Sequence, residues 1–327
     1  MTRFLLSNRF VVGIVVASVL AFIYPEGGAP DSWLRPGVTT KIGVFAIFLL
    51  QGMILPAEEL LRGMAQWRVH LFTQSFIFLL MPLVTWMLAS PFESILGPDL
   101  TFGFLFLGIL PCTISTAVVF TARSGGATTV ALFNTSLSNV AGIFIVPAFY
   151  VWWMDVGGGD TTGFLVSLLG KIVLLLLVPL VIGMSLRPVL RSFIERYKSW
   201  PGRITPNVVY FITYVSFAQA ILDRFWERQS TMALSLVAIG VFVLTAVSWA
   251  VCGLLLRALP FERKYKLAAF FCGTQKTVAA GVPMAQSLFN GGDLETGVVL
   301  LPLLFYSLIQ LSLGGLIVGR FEHKKTV

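Results

Sequence analysis

The sequence predicts an all-α integral membrane protein with ten transmembrane segments. Of its 327 residues, 57% are hydrophobic and only 12% are charged, which is about half the charged fraction of a typical soluble domain. Ten apolar segments can be counted, each about long enough to cross the ~30 Å hydrocarbon layer of a bilayer. Because the connections between them are short, residues 1–327 are predicted to form a single membrane domain.

The ten segments are numbered in chain order. Their approximate limits are 9–24, 39–55, 69–89, 101–122, 127–152, 163–186, 206–222, 231–256, 266–289 and 296–319. Arg3 and Arg9 precede the first apolar run, as they would in a signal peptide, but no small-x-small cleavage pattern follows. This run is therefore interpreted as the first span. The longest charged connection is 187–205.

The basic residues predict which side of the membrane each connection faces. If the amino terminus is cytoplasmic and the sides alternate, the far side holds only Arg35, Lys41, Arg224 and Arg228, and the other connections hold most of the Lys and Arg residues. This asymmetry follows the positive-inside rule. It predicts a multi-pass protein of the cell (inner) membrane with both termini in the cytoplasm. Since topology explains the net charge of +8, no nucleic-acid partner is expected.

Lys276 is the residue that fits a plain membrane helix least well. The same topology puts every Asp and Glu in a connection, and Lys171 lies near the start of segment six, where it can snorkel to the interface. Lys276 instead falls between Lys266 and Asp293, which mark the two interfaces of segment nine. A charged side chain at that depth costs several kcal/mol unless it meets a partner, water or a ligand. The alternative is a lysine that snorkels from a helix end.

Segment nine contains residues that interrupt helices. Gly273 and Gly281 weaken a continuous helix, and Pro283 cannot donate a backbone hydrogen bond. A broken helix leaves backbone groups that lipid cannot satisfy, so this stretch should face protein or a wet cavity. Segment four has a similar pattern at Gly108 and Pro111.

The two interrupted segments can be aligned with each other. Thr113 pairs with Thr274 and Ser115 with Lys276 at an offset of 161 residues, which is close to half the chain. The match is short, so coincidence is the alternative. Since segments one and six start on opposite sides, two halves of five segments would be inverted repeats. Broken helices at corresponding positions in such repeats indicate a binding site at the midplane of a secondary transporter.

Polar residues in and near the interrupted segments are the candidate substrate-binding residues. They are Gln74, Thr113, Ser115, Thr116, Asn134, Ser138, Asn139, Thr274, Gln275, Lys276, Thr277 and Gln310. For the Ser and Thr residues, hydrogen bonds between helices are the alternative role. No embedded acid, nucleophile–base pair or metal-ligand spacing is visible, so the sequence predicts neither an enzyme nor a bound cofactor.

Four short pieces of sequence are specific enough to suggest a family. They are Phe133-Asn134, Cys272-Gly-Thr-Gln-Lys-Thr, Gly281-Val-Pro283 and His70-Leu-Phe-Thr-Gln74. With them, essentially the whole chain resembles the bile acid:sodium symporter superfamily, in its SBF-like branch. The resemblance implies ten transmembrane helices as two inverted five-helix repeats with crossed broken helices 4 and 9. It also implies a panel part, helices 1–2 (9–55) and 6–7 (163–222), and a core part, helices 3–5 (69–152) and 8–10 (231–319).

The resemblance also implies where sodium would bind. A weak sodium site is expected at the positions that match family ligands, namely Ser115, Thr116, Asn134 and Gln275. The glutamate that joins both sodium sites in the family falls at Phe271, and Lys276 lies nearby. Two unit positive charges ~5 Å apart repel by about 3 kcal/mol even at an effective dielectric constant near 20. Lys276 could therefore act as a built-in cation where the family uses sodium.

These observations predict a secondary active transporter in the lipid bilayer. The expected substrate is a small or amphipathic organic anion, moved by alternating access with weak or no sodium dependence. Sodium and protons are the candidate coupling ions. The alternative is a non-transporting membrane regulatory or binding protein, for example in cation or calcium homeostasis, because a fold does not determine a function.

Overall fold

The computed structural model describes residues 9–54, 64–154, 173–196, 201–224, 230–289 and 294–323, with single positions at 163, 166, 170, 171 and 227. Within these ranges the chain is helical apart from short connections. Helices α1 to α14 span Arg9–Ile23, Pro36–Ile54, Trp67–Ser75, Met81–Ala89, Glu93–Ile109, Ile114–Arg123, Thr128–Met154, Val178–Arg196, Pro201–Leu222, Thr231–Ala258, Arg263–Thr274, Val278–Phe289, Thr296–Val299 and Leu301–His323. Two π-helical turns, Phe76–Leu80 and Val173–Leu177, precede α4 and α8.

The predicted all-α membrane class is confirmed. Seven helical stretches of the described chain are long and apolar enough to cross a membrane, and three shorter helices are also apolar. Each of the ten predicted segments contains helix in its described residues. The number of crossings and the inverted repeat stay predictions, since length and composition alone do not establish them.

Two boundaries differ from those predicted. Segments three and four belong to one helical run, Trp67–Ile109, which is kinked at Gly97, where the backbone φ is +75°. Glycine adopts this conformation without steric penalty, and Pro98 follows it. Helix α8 continues to Arg196 through the first half of the predicted connection, where Arg187 Nη1 donates to Ile54 O at 3.2 Å.

Segments four and nine are both broken, as predicted, but for different reasons. Between α5 and α6, Pro111 has no N–H to continue the helix. Segment nine breaks at residues 275–277, between α11 and α12. Gly281 and Pro283, which were expected to interrupt it, lie inside α12. Of the residues expected to weaken the helix, only Gly273 lies near this break, one residue before the end of α11, and residues 275–277 themselves include no glycine or proline.

The chain divides into two compact units. The first contains the described residues of Met1–Leu55, Ile143–Thr231 and Ala279–Leu300, and the second contains those of Pro56–Gly142, Met232–Val278 and Leu301–Val327. All twelve predicted substrate-binding residues lie in the second unit. The panel and core parts implied by the family resemblance stay a prediction.

In the first unit, helices α2 and α8 approach to backbone contact. A β-carbon added at Gly52 would fall onto the carbonyl oxygen of Leu180, and one added at Gly183 would fall onto that of Leu49. Only glycine at both positions permits this approach, because any side chain would displace the facing backbone.

Candidate functional site

The two broken segments pair with each other through their backbones in the second unit, and we call this paired region the crossing. Cys112 and Lys276 form an isolated antiparallel bridge. The Thr113 N–H donates to Gln275 O at 3.3 Å, and the Thr277 N–H donates to Pro111 O at 3.1 Å. Backbone groups released by one break are thus satisfied by the other. This symmetric exchange matches Thr113 with Thr277, at an offset of 164 residues, instead of with Thr274 as the sequence alignment suggested.

Side chains from two neighbouring helices satisfy the remaining backbone groups of the crossing. From α7, Ser138 Oγ accepts from the Cys112 N–H at 3.2 Å, and Asn139 Nδ2 donates to Cys112 O at 2.8 Å. From α14, Gln310 Oε1 accepts from the Lys276 N–H at 2.8 Å, and its Nε2 donates to Lys276 O at 2.9 Å. The Gln310 amide therefore bonds to both the N–H and the C=O of Lys276. Ser138, Asn139 and Gln310 thus hydrogen-bond to the backbone of the crossing, and their role as substrate ligands stays a prediction.

The Lys276 ammonium lies among backbone carbonyls. Its Nζ donates to Gly108 O at 2.6 Å, to Leu110 O at 2.7 Å and to Ile77 O at 3.3 Å. An ammonium has three N–H donors, so each one has an acceptor. The side chain is 0% exposed, and no carboxylate among the described residues pairs with it. The predicted snorkelling alternative does not apply, because the ammonium points into the protein.

Local sequence explains why these carbonyls are available. The helical partner of Gly108 O would be the Cys112 N–H, which instead bonds to Ser138. Ile77 lies in the π-helical turn, where hydrogen bonds are shifted by one residue. The carboxyl end of α5 also carries partial negative charge from its peptide dipoles. A buried cation is therefore stabilised at this point without a carboxylate.

Tyr306 is part of this arrangement and was missed as a site residue. Its hydroxyl donates to Thr274 O, the last residue of α11, at 2.7 Å, and the side chain is 0% exposed. Thr274 Oγ1 bonds within its own helix, to Phe270 O. The spacing could have revealed Tyr306, because it precedes Gln310 by four residues and thus shares its helix face.

The predicted sodium ligands fall into separate groups. Thr116 Oγ1 lies 3.3 Å from Gln275 Oε1, whereas Asn134 Oδ1 accepts from Gln74 Nε2 at 3.3 Å. In the described chain no hydrogen bond joins one pair to the other, and Ser115 is exposed. Gln275 is 0% exposed and its Nε2 has no partner among the described residues.

The donor set of the predicted weak sodium site contains no carboxylate. Every candidate ligand is a neutral oxygen, and Phe271 is fully buried against Phe120, with ring centroids 5.7 Å apart. The described residues also contain no group of three or more His, Cys, Asp and Glu side chains suited to a metal ion. Lys276 supplies the positive charge of this region.

A helical membrane protein in which two broken helices pair through their backbones has the architecture of a membrane transporter. The chain belongs to the SBF-like CPA transporter family, whose model matches residues 8–323. It is a multi-pass protein of a transporter family, as the sequence predicted.

Similar proteins are known in bacteria and vertebrates. The uncharacterized protein PA2026 of Pseudomonas aeruginosa is 29% identical over 326 residues, which cover 99% of this chain and 95% of the relative. The "Putative symporter YfeH" of Escherichia coli K12 is 29% identical over 324 residues, which cover 99% of this chain and 96% of the relative. Sodium/bile acid cotransporter 7 of Rattus norvegicus is 28% identical over 325 residues, which cover 94% of this chain and 91% of the relative.

Proposed function

We propose that this protein is a secondary active transporter of a small or amphipathic organic anion. It works by alternating access in the cell (inner) membrane, with both termini in the cytoplasm and with little or no dependence on sodium. The names of two relatives, "Putative symporter YfeH" and "Sodium/bile acid cotransporter 7", support coupled transport of a solute. The anionic substrate and the weak sodium dependence are proposed from the residues of the crossing.

The observation that carries the proposal is the buried Lys276 ammonium on three backbone carbonyls. Rings of carbonyl oxygens are the groups that replace the hydration shell of an alkali cation in membrane proteins. A covalently attached cation on such oxygens supplies the charge that a bound sodium ion would supply. Phe271, at the position implied for the family glutamate, offers no carboxylate to a sodium ion.

Donors near the crossing favour an anion. Helix α6 begins at Ile114, and Thr113 makes no side-chain cap, so the first-turn N–H groups of α6 lack that partner. The unpartnered Gln275 Nε2 belongs to a side chain whose Oε1 lies 3.3 Å from Thr116, in the same turn. Peptide dipoles add partial positive charge at this helix end. A carboxylate or sulfonate would accept from these donors.

The test is uptake of labelled anions into proteoliposomes. Taurocholate serves as the amphipathic probe and succinate as the small one. We expect accumulation by the wild type and by Lys171→Ala, because Lys171 is exposed, and loss of accumulation in Lys276→Ala. Equal accumulation by both alanine variants would contradict the role of Lys276.

The regulatory alternative is favoured by one feature of Lys276. All three of its donors bond to the protein itself, as expected for a lysine with a purely structural role. A regulatory protein would bind an anion without accumulating it in proteoliposomes. Saturable binding by the wild type with no uptake would therefore support the alternative over transport.

Proton coupling can be tested at the same residue. If an anion prefers the protonated lysine, protonation must tighten anion binding by the same factor. We expect ligand affinity to depend on pH in the wild type between about pH 6 and 10, because only that form can gain or lose the proton. Lys276→Met removes the charge, and Lys276→Arg keeps it without titration. The same pH profile in all three forms would exclude coupling through Lys276.

A further inference from the structure

One end of the second unit is a compact group of three turns. These turns precede α3, join α6 to α7 and join α10 to α11. The Ala127 N–H donates to Lys264 O at 2.9 Å, which ties the second turn to the third. The ring of Phe72, one turn into α3, lies 6.4 Å from that of Phe261 in an edge contact. We call this surface the basic end.

The basic end is strongly cationic. Its basic residues are Arg68, Arg123, Arg257, Arg263, Lys264 and Lys266, of which all but Lys266 are exposed. In the described parts of these turns the only carboxylate is Glu262, which lies 2.8 Å from Lys264. Among the described residues of this surface, basic side chains therefore outnumber acidic ones by six to one.

Half of these six basic residues lie at the start of α11. Three of its first four residues are basic (Arg263, Lys264 and Lys266) and none is acidic. Helix amino termini carry partial positive charge and favour anions, so an anion at the start of α11 would meet both the helix end and these basic side chains. Glu262 occupies the N-cap position but makes no side-chain cap, because its carboxylate pairs with Lys264. Nearby, Ser124 is 3% exposed and its hydroxyl has no partner among the described residues.

Apolar residues next to these cations place the basic end at the edge of the bilayer. Leu71 is 60% exposed and lies three residues after Arg68, and Leu254 is 61% exposed and lies three residues before Arg257. Residues three apart share a helix face, so each cation has an exposed apolar neighbour one turn away. Trp67 is 62% exposed, and membrane interfaces are enriched in such aromatic rings.

We propose that the basic end is a binding site for the headgroup phosphate of an anionic phospholipid. Clusters of four to eight Lys and Arg residues beside membrane helices attract anionic lipids. The exposed leucines one turn away offer apolar surface to the acyl chains of the same molecule, which a soluble anion does not need. A bound phosphate would add negative charge at the start of α11, whose other end enters the crossing at Thr274.

The test uses the purified full-length protein in neutral detergent, with its thermal unfolding midpoint measured as lipid is added. A ligand that binds the folded state raises the midpoint. We expect phosphatidylglycerol to raise it and phosphatidylcholine to leave it unchanged. The test variant Lys264→Gln/Lys266→Gln should need about thirtyfold more phosphatidylglycerol for the same rise. The control Lys41→Gln/Lys171→Gln removes two exposed lysines elsewhere and should respond like the wild type.

Two further measurements test whether the ligand is a lipid and whether its binding is electrostatic. Glycerol 3-phosphate, at the same phosphate concentration, should give no rise, and an equal rise would overturn the lipid assignment in favour of a soluble phosphate site. If the test variant does not fold, raising NaCl from about 50 to about 500 mM should abolish the phosphatidylglycerol rise of the wild type, because salt screens exposed charges. A rise that resists salt, or equal responses of test and control variants, would overturn the proposal.

Discussion

Replacing Lys276 by methionine tests whether its ammonium is needed to complete the crossing. Methionine has a similar length and volume but no donors. The substitution would leave the carbonyl oxygens of Gly108, Leu110 and Ile77 buried without the partner that the ammonium provides. The perturbation is therefore the loss of three hydrogen bonds with little change in packing.

The expected magnitude follows from these three bonds. A buried polar group left unsatisfied costs about 1–3 kcal/mol, so three carbonyls together cost about 3–9 kcal/mol. Removing a buried ammonium returns its own desolvation penalty, which is several kcal/mol. We therefore expect the free energy of unfolding of Lys276→Met to fall by about 1–3 kcal/mol. For a chain of this size, this corresponds to a decrease of roughly 2–6 °C in the unfolding midpoint.

The assay is thermal unfolding of the purified protein in detergent without added ligand. Lys171→Met is the matched control, because Lys171 is exposed and substitutions at exposed sites usually change stability by less than about 0.5 kcal/mol. An unfolding midpoint of Lys276→Met equal to that of the wild type would refute the argument that the carbonyls at the end of α5 depend on this ammonium.

Three other results are expected. Gln310→Leu should reduce the free energy of unfolding by about 2–4 kcal/mol in the same assay, because the buried N–H and C=O of Lys276 each lose a partner; an unchanged midpoint would show that the crossing holds without it. Gly52→Ala should destabilise the protein by about 1–3 kcal/mol, since its β-carbon meets the backbone of α8. The control Gly253→Ala, with no atom within 4 Å, should be neutral or stabilising by up to about 1 kcal/mol. Ligand binding should change by less than tenfold between sodium and choline salts of equal ionic strength, and a gain of about 1.4 kcal/mol or more in sodium would contradict the built-in cation.

The sequence by itself determined the class of the protein and the residue that is hardest to accommodate. Apolar segments and few charges are enough to predict membrane helices, because lipid excludes unpaired polar groups. The break in segment four also follows from local chemistry, since Pro111 lacks an N–H. Lys276 was identifiable because the topology left no carboxylate at membrane depth to pair with it.

Only the tertiary structure decided how the broken segments are completed. Segment nine breaks where it has no proline, because its backbone exchanges hydrogen bonds with Pro111 and Thr113, more than 160 residues away. Gln310 is predicted to bind substrate, and the structure shows in addition that its amide bonds to both the N–H and the C=O of Lys276. Local sequence shows that a buried polar group needs a partner. Which partner it meets depends on how residues distant in the chain are brought together, and that is a property of the folded protein.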